Sequence, residues 1–156
     1  ETFLEVEWST LFFFIGLFIV IAGVEKVGII QWLSNKIITL TKGNLTLTTL
    51  AVLWVSGITC SFINNISYTI SIVPVIHNIG AATSFNLNPV WWALSLGACL
   101  GGNGTFIAAA ANLVGVNILK RQGRIITFKD FFRIGLPIML ISMILSSLYL
   151  YFRYLL

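Results

Sequence analysis

"LGACLGGNGTFIAAAANLVG", residues 96–115, decides how this chain folds. Its flanks are as apolar as a membrane span. Yet Gly101-Gly102-Asn103-Gly104-Thr105 strips out helix propensity at about 1 kcal/mol per glycine and leaves peptide groups that hydrocarbon cannot hydrogen-bond. An unbroken helix there would need no explanation. A break at membrane depth asks for one.

That the depth is a membrane's follows from composition. Of 156 residues 58% are hydrophobic and 9% charged, with a mean hydropathy of +0.97, where a soluble domain carries about 25% charged residues. The chain therefore reads as an integral membrane protein. No Asp, Glu, Lys or Arg occurs between Gly43 and Leu119, and one helical span needs only about 20 apolar residues, so several embedded segments follow one another. Of the nine cationic residues, Lys120, Arg121, Arg124, Lys129 and Arg133 share one loop between apolar runs. This is a topology signal rather than a nucleic-acid footprint, and it places that loop in the cytoplasm. Lys36 and Lys42 then fall on the other side, outweighed by the stronger bias. Glu1, Glu5 and Glu7 stand where a signal peptide would be basic, and the chain reads as a piece of a longer polytopic protein. Cys60 and Cys99 lie in apolar runs, make neither a disulfide framework nor a metal motif, and serve as small apolar filler. No resident metal is expected.

The expected organisation is all-α, a single membrane domain over 1–156. Residues 8–24 form a transmembrane helix. Residues 27–41 form an amphipathic interfacial helix, with Ile30, Leu33, Ile37 and Leu40 at helical spacing. Residues 45–80 hold two apolar runs around "NNIS", and the second, of about 13 residues and roughly 20 Å, is short for a core about 30 Å thick. A re-entrant hairpin with its tip around Ser61 to Ser67 satisfies that length. Residues 90–119 form a transmembrane helix broken at Gly101–Gly104, its second half capped by Asn103 or Thr105. Residues 134–152 form a last span, with Tyr149, Tyr151 and Tyr154 as an aromatic belt.

Irregular backbone at this depth is tolerated where it lines a polar cavity, and discontinuous helices form midplane sites in secondary transporters. Paired half-helices aim carbonyls from one and amides from the next at one point, holding a cation and an anion without formal charge. The candidate site therefore joins Ser61, Asn64, Asn65, Ser67 and Thr69 of the hairpin to Gly101, Gly102, Asn103, Gly104 and Thr105 of the break. Close helix packing is the competing account of the glycines. His77, the sole histidine, reads as an interfacial or packed residue. With one histidine and no carboxylate over 43–119, the usual catalytic dyads are missing, so the chain is read as no enzyme. A non-transport assembly subunit and an intramembrane enzyme are the alternatives.

"VEWSTLFFFIGLFIVIAGVEKVGI", "SFINNISYTISIVPVI" and "LGACLGGNGTFIAAAANLVGV", in this order and spacing, resemble the carboxyl-terminal half of ion transporter superfamily permeases. That group includes arsenite permeases, melanosomal P proteins and citrate-transporter-like proteins related to divalent anion/sodium symporters. The resemblance implies one half of an inverted-repeat transporter in the plasma membrane, partnered by an amino-terminal half and by lipid, and assembled as a homodimer. It implies an elevator-like movement of a small inorganic or carboxylate anion, coupled to sodium or protons. The family's Asp-Asn-Val-Pro type of tip is Asn64-Asn65-Ile66-Ser67 here. Carboxylate and proline are absent, and a neutral cage for sodium, with Asn64, Asn65 and Asn103 as ligands, replaces a proton-exchanging group. No other cofactor is implied.

Overall fold

The computed structural model of the chain describes residues 8–156, apart from the side chains of residues 8–11, 13, 14 and 110. Seven α-helices follow one another: α1 (Trp8–Lys26), α2 (Ile29–Leu40), α3 (Leu45–Cys60), α4 (Asn65–Thr83), α5 (Asn88–Gly101), α6 (Ala110–Arg121) and α7 (Phe128–Leu150). The last runs on into a π-helical turn, Tyr151–Leu155. Among the described residues there is no strand.

α1 and α2 are bent by 67° at Gly28, whose φ of 85° is costly for any residue with a Cβ. Residues 27–41 thus form a separate helix, but not a purely interfacial one. Ile30 and Ser34 are buried, and Ser34 Oγ shares its one proton between Ile30 O at 2.8 Å and Val75 O on α4 at 3.1 Å. The contact to Val75 O brings α2 against α4.

The centre of the fold is a seam between α3 and α5. A Cβ on Gly97 would stand 2.5 Å from Leu53 O, and one on Gly101 would meet the backbone of Gly57. Farther along, Thr105 reaches Ser61. Partners advance together along both chains, so α3 and α5 are parallel. α4 connects the far end of α3 to the near end of α5 and must run back between those two levels. Gly97 and Gly101 stand four apart on one helix face, the small-residue spacing that lets helix backbones approach closely.

α7 crosses this pair in the opposite direction. Met139 meets Ser61, Met143 lies against Gly57, and Ser147 Oγ accepts from Trp54 Nε1 at 3.1 Å. α7 with its π turn is long and apolar enough to cross a membrane, and Met139 stands near its middle. Leu53, Ile76, Val90, Ala93, Leu94, Met139, Met143 and Leu150 form the buried core. At the far end of α7, Trp92 stacks on Tyr154 with 6.4 Å between ring centroids, and Tyr149 meets the same ring edge-on at 6.3 Å.

Three boundaries differ from the sequence reading. α4 has 19 residues rather than about 13, because buried Val75, Ile76 and Ile79 hold it together past Pro74 and the polar residues beyond. Its length no longer argues for re-entrance, whereas α3, with 16 residues, is about 24 Å long and stays short of the hydrocarbon thickness. α7 starts at Phe128 rather than residue 134, because Thr127 and Asp130 form a capping box: Thr127 Oγ1 accepts from Asp130 N, and Asp130 Oδ2 accepts from Thr127 N at 3.1 Å.

Candidate functional site

The tip of the α3–α4 hairpin and the break after α5 meet. Ser61 Oγ lies 2.9 Å from Gly57 O, 2.9 Å from Gly101 O and 3.0 Å from Met139 Sδ, so its one proton is shared among acceptors on three helices. Thr105 Oγ1 donates to Ser61 O at 2.5 Å. Both residues are buried. They form a lock between tip and break beside the middle of α7.

The break spans residues 102–109, longer than the Gly101–Gly104 expected. Neither Asn103 nor Thr105 caps α6. Its N-cap is Ala109, whose methyl side chain can accept no cap bond, and the Thr105 hydroxyl is committed to Ser61. Gly101, Gly102 and Gly104 are also absent from the positive-φ positions, which are Lys42, Ser84, Gly28, Gly43 and Gly123. The glycines therefore serve close approach rather than unusual backbone angles. Gly101 packs on Gly57. A Cβ on Gly104 would lie 2.6 Å from Ser61 Oγ, and one on Gly135 of α7 would lie 2.5 Å from Asn103 O. The packing account of this tract is correct for Gly101 and Gly104, alongside the break itself. Phe106 pins the segment to the start of α7, edge-on to Phe128 at 5.5 Å and to Phe131 at 5.9 Å.

The remaining predicted residues divide into groups. Asn64 is exposed and caps α4, its Oδ1 accepting from Ile66 N at 2.9 Å. Ser67 is half-buried, its carbonyl accepting from Ser71 Oγ at 2.8 Å. Asn65 and Thr69 face α5 across a cavity of about 290 Å³, which Ser95 and Cys99 also line. Asn103 lines a different cavity, of about 570 Å³, toward Asp130, Phe131 and Ile138. The Ser61–Thr105 lock thus brings tip and break together, while Asn65 and Asn103 line different cavities.

Sequence reasoning missed three contributors. Ser95 gave no signal within an apolar run, and Cys99, read as filler, lines the same cavity as Asn65 and Thr69 and is exposed. Asn112 donates from Nδ2 to Gly102 O at 3.0 Å and to Thr105 O at 3.4 Å. A carboxamide in the first turn of the half-helix, next to the glycine tract, was the available signal. His77 is exposed and sits edge-on to Trp91 at 6.4 Å, as a packed interfacial residue would. Among the described residues no group of three His, Cys, Asp or Glu could hold a metal.

A parallel small-residue seam ending in a hairpin tip and a broken helix, in a chain this apolar, defines an all-helical integral membrane protein. The chain belongs to the CitMHS citrate transporter family, whose model matches residues 1–97. It is 39% identical over 152 residues to an uncharacterized transporter of Mycobacterium tuberculosis, covering 96% of this chain and 36% of that protein. It is 39% identical to the 46 kDa membrane protein of Mycobacterium leprae, covering 97% and 36%. It is 38% identical to the P protein of Sus scrofa, covering 94% and 18%. The chain thus spans about a third of its mycobacterial relatives or less of the P protein. No solved structure matches it.

Proposed function

We propose that this chain supplies the carboxyl-terminal half of a secondary active transporter for small inorganic or carboxylate anions, such as arsenite or a di- or tricarboxylate, driven by sodium or protons. One observation carries the reading: tip and break interlock beside the middle of α7, the depth at which transporters of broken-helix type bind their substrates. α3 and α5 are parallel, so their carbonyl ends come together at this level, each equivalent to about half a negative charge. The N-termini of α4 and α6 adjoin the same tip and break and bring amides. Such an arrangement suits a cation and an anion bound together without a formal protein charge, with Asn65 and Asn103 lining separate cavities beside it.

The shortness of α3 and the level of its tip beside the middle of α7 support a re-entrant hairpin whose mouth lies away from the basic Lys120–Arg133 loop. In this reading the loop is cytoplasmic, the protein sits in the plasma membrane, and an amino-terminal half related by inverted repeat completes each protomer of a homodimer that moves its transport domain like an elevator. It is a carrier, not an enzyme.

The test is uptake of labelled citrate, and in parallel of arsenite, by proteoliposomes of the full-length protein with sodium or choline outside. Sodium-dependent accumulation is expected. Asn65→Ala and Asn103→Ala should each raise the half-saturating concentration about five- to a hundredfold, the worth of one polar contact of ~1–3 kcal/mol, at unchanged abundance. Unaltered half-saturation and rate in both variants would remove the site.

A further inference from the structure

We infer that Asn112 is the positioning residue of the break: its carboxamide, donating to the carbonyls of Gly102 and Thr105, ties α6 to the broken segment so that half-helix and break hold one geometry. The inference rests on the transport reading and adds a residue outside the tip and the glycine tract.

The geometry gives the break few other internal restraints. Asn103 N donates to Leu100 O at 3.1 Å and Gly104 N to Gly101 O at 3.0 Å. Beyond them the chain turns at residues 106–108, but among the described residues no backbone N–H from Thr105 to Ala109 reaches a backbone carbonyl within good hydrogen-bond geometry. Thr105 Oγ1 and the Phe106 ring hold the segment to α3 and α7, so among the described residues Asn112 alone links it to its own half-helix by a side-chain hydrogen bond. The orientation of the amide is not ambiguous. Both neighbours, at 3.0 and 3.4 Å, are carbonyl oxygens, and only the NH₂ end can meet them. Asn112 is thus a donor here, and an isosteric aspartate, which fills the same space, removes the donor when ionised.

That difference separates positioning from space-filling. Ala108 lies in the break and is 1% exposed, and an Ala108→Cys thiol reports its opening. In the full-length protein with other cysteines replaced, Asn112→Ala and Asn112→Asp should each speed N-ethylmaleimide labelling of that thiol about tenfold. Cys60, buried on α3, serves as a separate reporter in a chain lacking Cys99 and should label at its wild-type rate in both variants. In the citrate uptake assay both variants should raise half-saturation with maximal uptake within about twofold.

Unchanged labelling of the Ala108→Cys thiol, a change in Asn112→Ala but not Asn112→Asp, or faster labelling of Cys60 as well would each overturn the inference. A fall in maximal uptake at unchanged half-saturation would do the same. Labelling needs no transport, so a flat labelling result beside an impaired Asn103→Ala protein removes Asn112's role alone. Faster labelling beside an unimpaired Asn103→Ala protein removes the transport site and keeps the tie.

Discussion

Beyond Ser61, the bonds of the hairpin tip are local. Ile63 N reaches Thr59 O at 3.0 Å, Phe62 N reaches Thr59 O at 3.1 Å, and Asn64 caps the helix that it precedes. At the break the partners come from elsewhere: Ser61 on α3, Phe128 and Phe131 on α7, Asn112 on α6. Both are interruptions of apolar helix, yet one is written into its own few residues and the other is assembled by the fold. A local turn survives the loss of a distant partner. An assembled one does not.

The strongest way to break the contrast is at the seam on which the assembled turn depends. Gly101→Leu places a side chain against the Gly57 backbone, which cannot rotate away. The expected result is loss of folded protein, a destabilisation above ~4 kcal/mol, read as collapse of the monodisperse peak in detergent size-exclusion chromatography. Thr105→Val keeps the shape but leaves Ser61 O without its donor. Thermal unfolding in detergent should report a loss of about 1–3 kcal/mol. At the tip, Asn64→Ala removes one exposed cap and should cost about 1 kcal/mol by the same measurement.

The smallest effect sharpens the comparison furthest, because it concerns the neighbour of Gly101. Gly102 has φ −57°, and an added Cβ would lie 3.3 Å from Cys99 O and 3.4 Å from the Ala109 Cβ. Gly102→Ala should therefore shift stability by no more than about 0.5 kcal/mol. Parallel melting curves for the two alanine variants, Gly101→Ala and Gly102→Ala, would expose any error in the seam, since equal curves contradict it.

This difference also sets how much of the molecule was legible in the sequence. Helix order, the separation of residues 8–24 from residues 27–41, the turn between α3 and α4 and the presence of a break all follow from local propensity and length, and all are found. The break's extent and the partners of Ser61, Thr105 and Asn112 depend on contacts some 40 residues apart or on another helix, to which propensity is blind. The start of α7 was missed for a different reason. Lys129, Asp130 and Arg133 lower the hydropathy where Thr127 and Asp130 carry a legible capping box. For the site, uncharged carboxamides and hydroxyls were the polar material the sequence offered, and only the fold distributes them to separate cavities.

The parallel seam has a consequence for biogenesis. Leu53 and Gly57 find Gly97 and Gly101 only after the intervening chain has been made and α4 has turned back. Closure of a loop that long carries an entropic cost before any contact repays it. While the ribosome is still adding α4, the α3 face bearing Thr48, Thr49, Ser56 and Ser61 has no partner from α5, and the translocon or surrounding lipid must accommodate these hydroxyls in the meantime. The hairpin therefore enters the membrane before its own clasp exists, and α5 sets the moment at which it becomes rigid.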